Sequence, residues 1–159
     1  MVTLQAKCNS EKKSLEIQKK EGDTGKLAKP IPYWEAIGSL AYLANGSRPD
    51  ILYAVNQLSR CQSKPSVQDF EYVKRVFHYL RGMDSYGLMY RGGNDLFESF
   101  SDASHRDCIS TARSTTGFVI MVLGDLVNWV SKRQSSVSKA TCESEYKAMN
   151  ETARELNYL

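Results

Sequence analysis

Two groups of residues in this chain have the types and spacing to do chemistry. The first is acidic. Ser101-Asp102-Ala103 sets an aspartate after an apolar run, and Ala140-Thr141-Cys142-Glu143-Ser144-Glu145-Tyr146-Lys147-Ala148-Met149 carries two glutamates where a helix begins. Paired carboxylates at a strand end are a common way to hold a divalent cation. Taken singly, Asp102, Asp107, Glu143 and Glu145 read equally well as surface carboxylates. The second group is basic: Lys74, Arg75 and Arg81, with Lys132 and Arg133 further on. It reads either as a solvated face or as a surface that follows phosphates. In the second case binding is weak, indifferent to sequence and steeply salt-dependent, because it releases counterions. His78 beside the first basic run reads as a surface or packing residue.

These residues need elements to hold them. Ile37, Leu40, Ala41 and Ala44 recur at helical spacing from Tyr33, and Gly46-Ser47 ends that run. Pro49 suits a first helical turn, with Asp50 beside it, and Ile51, Val55 and Leu58 follow on one face. Ser66 is placed to cap a third helix, with Asp69 three residues on in the role of a capping-box partner. Phe70, Val73, Phe77 and Leu80 form its expected apolar stripe, and Gly82 closes it. The period then changes from 3.6 to 2 near Tyr86. Tyr86 to Tyr90 is an extended connector, and Gly92-Gly93-Asn94 is a turn. A strand leads to Asp102, a second runs over Thr116–Val122, a turn falls at Gly124-Asp125, and a third strand holds Leu126–Val130. The last helix starts near Thr141, with Tyr146, Met149, Ala153 and Leu156 as its expected apolar face. The fold class is therefore α+β: about three helices, no strand between Tyr33 and Gly82, then a three-stranded antiparallel sheet and a helix.

The chain falls into a polar, lysine-rich arm (1–32), a helical region (33–92) and a β-β-β-α region (93–159). With 159 residues, 42% hydrophobic and 25% charged, it has the composition of a globular protein. The net charge of +3 permits a polyanionic partner without demanding one. Cys8, Cys61, Cys108 and Cys142 form no CxxC pair and read as idle thiols in a reducing compartment. No apolar run approaches the roughly 20 residues that span a bilayer, so no membrane partner is expected. The N-terminus carries no signal-peptide pattern, which points to an intracellular setting, cytoplasmic or nuclear.

Several segments in order resemble the Pol polyprotein of copia-type retrotransposons. They are Ile37-Gly38-Ser39-Leu40, Arg48-Pro49-Asp50-Ile51, Tyr53-Ala54-Val55, Leu58-Ser59-Arg60, Tyr79-Leu80-Arg81-Gly82, Ser101-Asp102, Arg113-Ser114-Thr115-Thr116-Gly117-Phe118, Trp129, Ser131-Lys132-Arg133-Gln134 and Glu143-Ser144-Glu145-Tyr146. The resemblance runs from about Tyr33 to the C-terminus. It implies that the helical region links a reverse transcriptase to ribonuclease H, and that the part from about Leu96 is the first half of a ribonuclease H domain. That enzyme cuts the RNA strand of an RNA–DNA hybrid with two magnesium ions held by four acidic residues. The first maps onto Asp102. The second maps onto Glu145, in Glu-Tyr-Lys-Ala, with Glu143 as the alternative.

The departures from the family pattern are specific. Where the family continues Ser-Asp-x-Asp-Trp-Ala-Gly, this chain reads Ala103-Ser104-His105-Arg106-Asp107 after Asp102, so the second aspartate and the tryptophan are replaced. The family's third and fourth acidic residues lie beyond Leu159, and nothing before Tyr33 resembles the polymerase aspartates. The expectation is a fragment that is inactive alone and holds magnesium weakly or not at all. Its partners are an RNA–DNA hybrid or other nucleic acid, and the remainder of a polyprotein or another chain at an exposed edge over residues 96–102. The other expectation is a non-catalytic module, derived from a retroelement, that binds nucleic acid or protein.

Overall fold

A computed structural model of the chain describes residues 32–93, 97–108 and 110–159. The polar arm expected over residues 1–32 falls, apart from Pro32, outside them. The described part is α+β, with helices preceding the sheet. Helix α1 spans Tyr33–Gly46, a 3-10 turn spans Pro49–Ile51, α2 spans Leu52–Ser59 and α3 spans Val67–Gly82. Strands β1 (Phe97–Ser104), β2 (Thr115–Val122) and β3 (Asp125–Arg133) follow, and α4 spans Thr141–Leu156.

The helical half closes over an apolar cluster. Tyr33, Ile37, Leu40 and Ala44 are spaced to share one face of α1, and they meet Ile51, Leu58, Val73 and Val76. Burying one such side chain contributes about 1.5–3 kcal/mol. The Tyr33 hydroxyl sits inside this cluster and donates to the Leu58 carbonyl at 2.9 Å. Burial, with the charges of Asp69 and Cys61, pushes that phenol well above its ordinary value. Arg48 is also buried. It grips Asp50 at 3.0 and 2.8 Å, donates to the Met83 carbonyl at 2.9 Å, and lies over the Tyr79 ring. It thus ties the loop after α1 to the end of α3.

Ser66 caps α3 as its sequence suggests. Its hydroxyl accepts from the Asp69 amide at 3.1 Å, and the Asp69 carboxylate accepts from the Ser66 amide at 3.0 Å. The apolar stripe differs from the expected one. Asp69, Tyr72, Val73 and Val76 are buried, whereas Phe77 is 44% exposed. The arc covered by α1 and α2 is centred between Tyr72 and Val76, which leaves Phe77 beyond its rim.

The sheet is an antiparallel meander in the order β1-β2-β3. Leu123 and Gly124 both have positive φ, 54° and 81°, so they form the two-residue turn between β2 and β3. The turn is one residue earlier than the sequence suggests, and Asp125 opens β3 instead. The Asp125 carboxylate is engaged: it accepts from the Arg91 and Gly92 amides at 3.0 and 2.8 Å. Those bonds hold it below the usual carboxylate range and dock the connector on the hairpin. Nearby, a Cβ at Gly93 would stand 2.8 Å from the Leu123 carbonyl oxygen, so only glycine fits there.

Helix α4 lies across one face of the sheet, and its buried side chains are Ser144, Ala148 and Thr152. Tyr146 and Met149, expected to face inward, are 72% and 57% exposed. Small residues bring the α4 backbone close to the sheet. Gln134 Nε2 reaches both the Ser144 carbonyl at 2.9 Å and the Thr116 hydroxyl at 3.0 Å. Its Oε1 accepts from the Ser138 hydroxyl at 3.2 Å.

Candidate carboxylate and nucleic-acid site

Asp102 is the penultimate but one residue of β1 and lies opposite Gly117 of β2. Its neighbour Ala103 is buried and lies opposite Thr116. Because Thr116 meets Gln134 and Gln134 meets Ser144, a line of contacts runs from β1 through β2 to the first turns of α4. Asp102 flanks one end of this line and Glu145 the other, so both belong to the same end of the sheet. Side chains alternate along a strand, and Thr116 faces α4; Asp102 therefore leaves β1 on the face away from α4. Glu145 is half-buried.

Glu143 has a different occupation. Its carboxylate accepts from the Lys139 amide at 2.8 Å and from Lys147 at 2.7 Å. The Lys147 bond, then the Lys139 amide, hold it below the ordinary glutamate range. It satisfies the start of α4, where Ala140 offers no side-chain cap. Among the described residues no group of three or more His, Cys, Asp or Glu gathers that could hold a metal ion.

The basic residues divide into separate places. Lys74, Arg75 and Arg81 are exposed on α3. Lys74 pairs with Glu71 at 2.7 Å and lies over Phe70, and Arg75 lies over Tyr72. On β3, Lys132 pairs with Glu151 of α4 at 2.7 Å. Arg133 is on the opposite face, with Nη1 3.9 Å from the Cys108 sulphur. Burial opposes ionisation of Cys108, but hydrogen bonds from Ser110, Thr111 and Arg133 outweigh it and bring the thiol down to about 6.

Asp107, in the loop after β1, reads from the sequence as a surface carboxylate but is drawn inward here. The Asp107 Oδ2 accepts from Thr115 at 2.6 Å and from Gln57 of α2 at 2.8 Å. Arg60, which caps the C-terminal end of α2, lies 3.8 Å away and donates to Thr115 at 2.8 Å. Asn56 of the same helix donates to the Ser131 carbonyl of β3 at 2.8 Å. Tyr53, Asn56, Gln57 and Arg60 stand at i, i+3, i+4 and i+7. That polar stripe on an otherwise buried helix was the available signal.

With this geometry in place, the similarity to known proteins carries weight. Over 137 residues, 86% of its length, the chain is 36% identical to the retrovirus-related Pol polyprotein from transposon TNT 1-94 of Nicotiana tabacum, of which it covers 10%. It is 36% identical over 132 residues, 82% of its length, to the secreted RxLR effector protein 161 of Plasmopara viticola, and covers 93% of that protein. The chain belongs to the copia-type retrotransposon Pol family. An uncharacterised mitochondrial protein of Arabidopsis thaliana is 38% identical over 136 residues, 85% of this chain and 56% of that protein. The chain thus spans about half of the mitochondrial relative and a tenth of the TNT 1-94 polyprotein. No family model matches the chain, and no solved structure does either. Within this Pol-family chain two of the quoted motif residues have structural duties. Arg48 locks the helical half, and Gln134 binds α4 to the sheet.

Proposed function

We propose that this chain is the part of a copia-type Pol polyprotein in which the helical connection after the reverse transcriptase meets the first half of a ribonuclease H fold. On this reading it binds RNA–DNA hybrid and does not cut it unaided. The observation that carries the reading is the β-β-β-α order with Asp102 and Glu145 at one end of the sheet, joined through Thr116, Gln134 and Ser144. Two divalent ions about 3.5–4 Å apart need several anionic oxygens to offset their charge. Asp102 and Glu145 do not meet that need, so the donor set fits no ion pair. Asp102 leaves β1 on the face away from α4, so it and Glu145 do not converge on one ion, and magnesium parts with its waters reluctantly. His105 is a poor substitute, because imidazole suits zinc or manganese better.

Binding falls to the charged surface. Lys74, Arg75 and Arg81 are exposed on α3, while Lys132 and Arg133 lie on opposite faces of β3. Lys132 and Lys74 already have carboxylate partners, which lowers their share. Arg81 and Arg75 therefore carry more of the phosphate contact. Labelled hybrid titrated with the chain tests this by fluorescence anisotropy at several salt concentrations. Affinity should drop steeply as salt rises and fall further in Arg75→Ala/Arg81→Ala. A flat salt response would sink the binding half of the reading. Hybrid cleavage with magnesium or manganese, present in the parent and absent in Asp102→Asn, would sink the other half.

A second reading is a non-catalytic interaction module. It is favoured by β1, an eight-residue edge strand whose outer side has no strand partner among the described residues. Such an edge presents free N–H and C=O groups for pairing with another chain. The 93% coverage of a short relative named as an effector agrees with a self-standing role. A concentration-dependent rise in mass without nucleic acid would favour it.

A further inference from the structure

The two halves of the molecule have separate interiors joined by a polar seam. The apolar cluster of the helical half contains no residue of the sheet or of α4. What crosses between the halves is hydrogen bonding. Trp129 Nε1 donates to the Ala44 carbonyl at 2.9 Å and Asn56 donates to the Ser131 carbonyl at 2.8 Å. Gln57 and Arg60 close on Asp107 and Thr115. We propose that Asp107 is the clasp of a hinge at this seam, holding the helical half on the sheet in one orientation, and that releasing it lets the halves separate while each stays folded.

Three observations support this. Asp107 is the acceptor on which α2 and β2 converge: one oxygen takes the Gln57 amide and the Thr115 hydroxyl. Its side chain is 10% exposed and that of Arg60 is 13%, so neither can be replaced there by water without opening the seam. The pairing is also incomplete, because Arg60 Nε and Nη1 and Asp107 Oδ1 are buried without hydrogen-bond partners. Buried, half-satisfied polar groups oppose closure, and opening would hydrate them. A seam made this way specifies orientation more than it stabilises. Apolar burial inside each half is not spent when the seam opens, because the hydrophobic term follows the apolar area that leaves water.

The experiment uses the full chain. Trp34 is largely exposed, so Trp34→Phe leaves Trp129, at the seam, as the remaining tryptophan reporter. In that background Asp107→Ala should red-shift Trp129 emission and raise acrylamide quenching about twofold. Amide exchange in α2 and at Thr115 should stay as slow as in the parent, because those amides are bonded within their own half, which remains folded. Exchange in α1, α3, β2 beyond Phe118, and α4 should not change. Asp107→Asn keeps an oxygen for Thr115 and Gln57 and should stay near the parent in all three readings. Three outcomes would overturn the hinge. One is Asp107→Ala with unchanged Trp129 emission and quenching. Another is Asp107→Ala with lost protection throughout either half, which would make the two interiors one. The third is Asp107→Asn as open as Asp107→Ala, which would mean that the oxygen is not the clasp.

Discussion

The helical half and the sheet half solve burial in opposite ways. The first hides Tyr33, Ile37, Leu40, Ile51, Leu58, Val73 and Val76 against one another. The second hides Ser114, Thr116, Gln134, Ser138, Ser144 and Thr152, with Phe118, Ile120 and Ala148 among them. Apolar burial is non-directional and tolerates changes of shape, whereas buried polar groups must each find a partner. The helical half should therefore respond to mutation in proportion to the volume lost. The sheet half should respond according to which hydrogen bond is orphaned.

The sharpest break of this contrast is Ile37→Ala. It removes buried volume in the apolar half and should lower unfolding free energy by about 2–5 kcal/mol in urea titration. Gln134→Ala comes next. It removes few apolar contacts but orphans the Thr116 hydroxyl and the second lone pair of the Ser144 carbonyl, and takes the acceptor from Ser138, which keeps only its bond from Lys147. The cost should be about 1–3 kcal/mol, with faster amide exchange in α4. If Gln134→Leu proved as stable as the parent, the polar character of the sheet interior would not matter.

Acid should act on the hairpin. The Arg91 and Gly92 amides hold the Asp125 carboxylate below the ordinary aspartate value. A carboxylate lowered on folding stabilises above its unfolded value, and that contribution is lost as pH falls through the lower, folded one. Below the ordinary carboxylate range the connector should loosen from the hairpin in amide exchange, an effect that Asp125→Asn should reproduce at neutral pH. The smallest effect belongs to Met149→Ser. On the exposed side of α4 it should change stability by less than about 0.5 kcal/mol. A larger loss would restore Met149 to a buried face.

The same contrast explains what could be read from the sequence. Periodicity found α1 and its buried face because Ile37, Leu40 and Ala44 are apolar and inward. The capping pair Ser66 and Asp69 fixed the start of α3. In α4 the rule inverted: Tyr146 and Met149 look outward while Ser144, Ala148 and Thr152 look inward. A helix that approaches a sheet closely needs small residues at the contact, and hydropathy cannot distinguish such a stripe from a surface. Asp102 and Glu145 could be placed on their elements, because strand order and helix start are local features. The duties of Asp107 and Arg60 could not. They sit 47 positions apart in the sequence, with no pattern linking them, and meet only when both halves are folded.

The meander bears also on the order in which the molecule assembles. Strands β2 and β3 are joined by two residues, and β1 reaches β2 across a ten-residue loop. Short loops cost little entropy to close, and hairpins form in roughly 1–10 μs. The helical cluster is local in the same sense. The seam joins residues up to 85 positions apart, as at Ala44 and Trp129, with little apolar gain to speed it. Both halves should be native before they dock, so docking is the late event. On a ribosome the helical half would emerge complete, with Asn56, Gln57 and Arg60 in water until β2 and β3 follow.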